Sequence, residues 1–166
     1  MKKILIIFFL VLTLSVFAVD FSLGIGSGVD GTMHNGKPWA APAVNLNLDF
    51  NIYNGFGIGG TASFAFKNSS DNMLLTYGDV FYKIPTGPIE ENFYMKVVLS
   101  GGGLIDNTID KNDTRHLMFG WGLDAIGKIS DNVNLKGFFR AFRVENCMST
   151  ALFQTLVAGV EFEFSF

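Results

Sequence analysis

The sequence predicts an all-β fold: an eight-stranded antiparallel up-and-down β-barrel that crosses a membrane with its strands, preceded by a cleaved signal peptide. Three observations carry this. Apolar residues recur at every second position along most of the chain, which is the spacing of strands with one apolar and one polar face. No uninterrupted apolar run after Val19 is long enough for a spanning helix, which needs about 20 residues. Short turns alternate with longer polar connections. The composition agrees, with 49% hydrophobic but only 16% charged residues, against about 25% charged in ordinary soluble domains.

The same numbers exclude several function classes. A chain this apolar is not disordered. An isoelectric point near 5.2, with no Lys/Arg cluster beyond Lys2-Lys3, speaks against a nucleic-acid binder. One cysteine allows no internal disulfide and no cysteine-based zinc site. The 166 residues suit one domain rather than two small cores.

The N-terminus opens with Met1-Lys2-Lys3, runs from Ile4 to Leu12 without a polar residue, and reaches Val16-Phe17-Ala18. A short basic region, an apolar stretch and a small residue at the end form a secretory signal peptide. Residues 1–18 are therefore expected to be removed, leaving residues 19–166 as the barrel domain. An uncleaved anchor is the alternative. Cleavage removes two lysines, so 10 cationic residues face 15 acidic ones and the net charge becomes −5.

The strands follow in order. Phe21, Leu23 and Ile25 alternate with Ser22, Gly24 and Gly26. Val44, Leu46, Leu48 and Phe50 alternate with Asn45, Asn47 and Asp49. Phe56, Ile58, Ala62, Phe64 and Phe66 oppose Gly57, Gly59, Thr61, Ser63 and Ala65. The fourth strand, Leu74 to Ile84, is weaker, with Leu74, Thr76, Val80 and Tyr82 on one face. Phe93, Met95, Val97 and Leu99 oppose Tyr94, Lys96, Val98 and Ser100. Leu117, Phe119, Trp121 and Leu123 oppose Gly120, Gly122, Asp124 and Lys128. Val133, Leu135, Phe139 and Ala141 oppose Asn134, Lys136, Phe138 and Arg140. Leu152, Leu156, Ala158, Val160, Phe162, Phe164 and Phe166 oppose Thr155, Gly159, Glu161 and Glu163. Ten residues tilted by about 45° span a bilayer.

Residues 29–39, 67–73, 105–116 and 145–150 are polar, and most are longer. Residues 51–55, 85–92 and 130–132 carry turn chemistry such as Asn54-Gly55 and Ser130-Asp131-Asn132. Long loops on one side and short turns on the other are the pattern of an outer-membrane barrel whose turns and both termini lie in the periplasm. Aromatics near the two ends, among them Tyr53, Phe56, Tyr82 and Phe162 against Phe64, Phe66 and Phe119, suit the girdles of such a barrel. In the alternative soluble sandwich, the Gly-, Ser- and Thr-rich face would be the wet one.

Together, the signal peptide, the eight alternating strands and the terminal Val160-Glu161-Phe162-Glu163-Phe164-Ser165-Phe166 resemble small bacterial outer-membrane barrels of the OmpX/Ail type and the barrel domain of OmpA-like proteins. The resemblance implies a non-enzymatic, monomeric protein with a structural or surface-interaction role, such as adhesion or envelope integrity. It implies outer-membrane lipid and lipopolysaccharide as surroundings. It also implies that the outer-membrane assembly machinery reads Phe162, Phe164 and Phe166 as an assembly signal.

Inward parity assigns ten ionisable residues to the lumen: Asp49, Asp79, Lys83, Lys96, Asp124, Lys128, Lys136, Arg140, Glu161 and Glu163. Five acids balance five bases. An eight-stranded lumen is just wide enough for side chains to fill, so a paired polar network that plugs it is expected, with Tyr94, Phe138, Phe142 and Phe153 adding bulk. A conducting pathway is the alternative. For catalysis, His34 and His116 are placed in loops, with Asp106, Asp110, Asp113 and Ser149 nearby in composition. The histidine spacing of the lipid A deacylase family is missing. The acidic run 106–113 lacks the glycine and late Glu of a calcium loop. No catalytic group, cofactor or metal site is assigned, and no nucleic-acid partner. Cys147 stands in the last loop, and Arg143 falls on the outward parity near the loop rim.

Overall fold

The computed structural model describes residues 20–34, 37–66, 72–89, 91–106, 115–145 and 153–166. Residues 1–18, the acidic run beyond Asp106, Cys147 and Ser149 lie outside that set. Eight strands run in order: β1 Asp20–His34, β2 Lys37–Tyr53, β3 Phe56–Phe66, β4 Asn72–Ile84, β5 Phe93–Asp106, β6 Arg115–Ser130, β7 Val133–Val144 and β8 Thr155–Ser165. Each pairs with its sequence neighbour, and β1 pairs with β8, so the sheet closes into a barrel. All eight pairings are antiparallel. Closure satisfies the backbone groups of every strand and leaves no edge.

The strands are 11 to 17 residues long, longer than the ten expected. The ladder continues into segments read as loop: β1 reaches His34, paired with Lys37 on β2. Hydrogen bonding does not require an apolar face, so hydrophobic alternation marks the apolar band and underestimates the strand. The hairpin at Asn54-Gly55 has both residues at positive φ, 46° and 83°, as a two-residue turn of type I′ requires. The connection 85–92, longer than the other two turns on its side of the barrel, is organised by a short 3₁₀ turn over Gly87–Ile89. Thr86 Oγ1 donates to the Phe93 carbonyl at 2.7 Å within it.

Period two sets the two faces. Apolar side chains from every strand stand exposed on the outside, such as Ile25, Leu46, Ile58, Val80, Leu99, Phe119, Leu135 and Val160. On β5, Val97 is 40% exposed and Val98 1%, as their parity predicts. At the turn end Phe21 stacks on Phe166 with centroids 5.0 Å apart, and Phe56 meets Tyr82 at 4.6 Å. Inward glycines are sterically required. A Cβ on Gly122 would collide with the Phe139 carbonyl and the Arg140 side chain, whereas one on outward-facing Gly60 would meet its nearest atom at 3.8 Å.

At the start of β8 the alternation breaks. Gln154 and Thr155 are both buried, and the Gln154 Oε1 accepts from the Val144 amide at 2.6 Å. Phe153, expected in the lumen, therefore turns outward and meets Trp121 edge-on at 6.2 Å.

The barrel lumen as candidate functional site

The buried side chains fill the lumen in two tiers. Toward the turns, the structure brings together eight of the ten ionisable residues picked from parity. Lys96 Nζ lies 2.8 Å from Asp49 Oδ2 and 3.9 Å from Glu163 Oε2. Lys136 Nζ lies 2.7 Å from Glu161, 3.6 Å from Glu163 and 3.9 Å from Asp49. It also donates to Asn47 Oδ1 at 2.7 Å. Arg140 takes Asp124 with both terminal nitrogens and reaches Asp79 Oδ2 at 3.4 Å. Ser100 donates to the other Asp79 oxygen at 2.5 Å. Shared partners matter here, because a buried charge is tolerable only when it is paired and its remaining lone pairs are satisfied.

The other two residues are corrections. Lys128 has inward parity, but it stands at the last turn of β6, beside the register shift before Ser130. Its side chain is exposed and pairs with Asp131 at 2.9 Å instead of joining the network. Hydrogen bonding and the positive charge of Lys128 hold the Asp131 carboxyl below the usual carboxylate range. Lys83 is half-exposed at the turn-side rim, its ammonium 4.4 Å from the centroid of the Tyr94 ring. The five-to-five balance therefore does not hold inside the lumen. Among the described residues, six buried carboxylates, these five and Asp30, face three buried cations, Lys96, Lys136 and Arg140.

Toward the loops the lumen changes character. Met73, Leu75, Leu104, Met118, Phe142, Val144 and Val157 form an apolar cluster with Ala41, Ala43 and Ala65. Tyr77 and Phe138 belong to it, and Tyr77 meets Phe142 with centroids 5.0 Å apart. The β1–β3 wall at this level keeps some polar groups. Asp30, fully buried, accepts from Ser63 Oγ at 2.5 Å, and Thr32 donates to the Gln154 carbonyl at 3.1 Å. Sequence reasoning left Asp30 in a loop. Its parity with Gly24, Gly26 and Gly28 is the signal that would have found it.

His116 is also corrected. It lies on β6, points inward beside Met118 and is nine-tenths buried, not in a loop. Its Nε2 has no hydrogen-bond partner. Among the described residues no group of His, Cys, Asp and Glu is arranged to hold a metal ion.

The barrel fold is shared with solved proteins. Neisserial surface protein A matches at a TM-score of 0.59 and 11% identity, over 89% of this chain and 97% of that one. The attachment invasion locus protein Ail of Yersinia pestis matches at a TM-score of 0.52 and 13% identity, over 89% and 98%. This is the fold of the small outer-membrane barrels. Ail in a phospholipid bilayer nanodisc agrees, at a TM-score of 0.54 and 11% identity over 89% and 99%. At these identities the likeness fixes the fold alone. No family model and no curated protein matches the chain.

Proposed function

We propose that the chain is a non-enzymatic outer-membrane barrel protein with a structural or surface-interaction role. Its signal peptide is removed after Ala18, its termini lie in the periplasm and its lumen is plugged. One observation carries this reading: a belt of exposed apolar side chains from all eight strands surrounds a packed interior whose turn-side half is charged. In water such a belt would be a large aggregation-prone surface, whereas lipid covers it without cost. The fold neighbours add weight, since one is named a surface protein and another an attachment invasion locus protein. Arg143, exposed on the outer face at the loop end, is suited to lipopolysaccharide phosphate. Phe162, Phe164 and Phe166 on the outward face of the terminal strand suit recognition by the assembly machinery. The barrel acts as a monomer, and its loops carry partner specificity. Of the two candidate histidines, His116 is enclosed in the loop-side tier, which does not suit an exposed catalytic base.

Fractionating the native host and treating intact cells with protease tests this. The protein should travel with the outer membrane, begin at Val19 and be cut in intact cells only at loop-side connections. An intact Met1, a soluble protein, or cutting at residues 85–92 in intact cells would contradict it.

A further inference from the structure

We propose that the lumen binds water at the junction of its two halves, in a site formed by Asp30, Asn45 and Ser63 on the β1–β3 wall. All three side chains are fully buried. Ser63 Oγ donates to Asp30 Oδ2 at 2.5 Å. Ser63 also stands directly opposite Asn45 in the β2–β3 ladder, where facing side chains are neighbours. Three atoms of this group are buried without a hydrogen-bond partner: Asp30 Oδ1, Asn45 Oδ1 and Asn45 Nδ2. Asn47, two residues along on the same face, is the contrast. Its amide donates to Asp49 at 3.1 Å and to Thr61 at 3.0 Å, and accepts from Lys136 at 2.7 Å. Asn45 thus stands between the Asp30–Ser63 pair and the charged network and bonds to neither.

The three atoms define what fits. Asp30 Oδ1 takes a donor. The Asn45 amide takes a donor at one end and an acceptor at the other, whichever way its oxygen and nitrogen are placed. A metal cation accepts nothing and leaves the NH₂ group unserved, and an anion brings no donor to the carboxyl. Water donates and accepts, and buried water satisfies such groups in protein interiors. The wall also carries small side chains at this level, which leaves room. Between Asp30 on β1 and Ser63 on β3, β2 turns Ala41 and Ala43 inward, and Ala65 follows on β3, whereas β4–β7 bring in Met73, Leu75, Leu104, Met118 and Phe142. The loop-side plug is therefore dry along β4–β7 and hydrated along β1–β3, and the hydrated side meets the charged half at Asn47.

Water-to-protein cross-relaxation, measured by NMR on the folded, isotope-labelled full-length barrel in detergent micelles, tests this. The Asn45 side-chain amide protons should show a cross-peak to water with the sign of a dipolar contact rather than of chemical exchange. The Leu104 methyls, in the dry part of the plug, should show none. The Ser63 hydroxyl and the Asp30 carboxyl could relay such a peak, so the measurement is repeated in the double variant Ser63→Ala, Asp30→Asn, which removes both groups and keeps an acceptor at position 30. The Asn45 peak should persist there. No contact peak at Asn45, a peak lost in the double variant, or an equal peak at the Leu104 methyls would each overturn the proposal. If the double variant fails to fold, a crystal structure of the wild-type barrel decides instead: water within hydrogen-bond distance of both Asn45 Oδ1 and Asn45 Nδ2 is the expected result, and an Asn45 amide in contact with protein atoms alone would overturn the site.

Discussion

The turn-side and loop-side halves of the lumen solve one problem in different ways. Both must fill a bore too narrow for bulk water and too wide to leave empty. The turn side fills it with long charged side chains that share partners, so each group depends on several others. The loop side fills it with Met, Leu, Val and Phe, where each side chain contributes its own buried area. The charged half is therefore cooperative and brittle, and the apolar half is additive and tolerant. That distinction can be broken at identifiable residues.

The largest effect should come from Lys136→Met. It removes the ammonium that Glu161, Glu163 and Asp49 share and strands buried carboxylates. Losing one partner of a buried pair costs about 3–5 kcal/mol, readable from urea unfolding in lipid vesicles. Leu104→Ala, fully buried in the apolar tier, should cost somewhat less, about 2–4 kcal/mol. If Leu104→Ala proved the costlier of the two, the apolar tier would be the keystone and the contrast would reverse.

Much of this was legible before any coordinates. Period two gave the correct face for Val97 and Val98 and for eight of the ten lumen charges. What it lacks is depth along the barrel axis. Lys128 and Lys136 share a parity, but one ends in the turn and the other in the centre, because strand stagger rather than alternation sets the height of a side chain. The apolar tier was hidden for another reason. In Met73-Leu74-Leu75 both faces are apolar, so alternation does not separate the inward pair from the outward residue between them. His116 was misplaced because strand pairing continues beyond the apolar band and takes residues read as loop into the wall. Near the other end of the scale, Phe153 escaped its parity through one irregular step at Gln154.

The two faces of the wall separate next. Gly122→Ala drives a methyl into the Arg140 side chain and the Phe139 carbonyl, and overpacking of this kind costs about 1–3 kcal/mol. Gly60→Ala, on the outer face with ordinary contact distances, should stay within about 0.5 kcal/mol of wild type. Equal effects in the vesicle assay would mean that the inner wall has room the packing denies. The smallest effect belongs to Lys128→Ala. Its pair with Asp131 is a solvent-exposed rim contact, so the unfolding midpoint should not move. A clear loss would bring Lys128 back into the network.

The most direct test of the two-tier lumen is a pair of double-mutant cycles in the same vesicle unfolding assay. Lys136→Met combined with Glu161→Gln lies within one tier, where the residues are 2.7 Å apart. Lys136→Met combined with Leu104→Ala spans both tiers. The first cycle should show a coupling of about 1–3 kcal/mol, and the second should be additive within about 0.5 kcal/mol. Additivity in the first cycle, or strong coupling in the second, would contradict the division of the lumen into a shared charge network and an independent apolar plug.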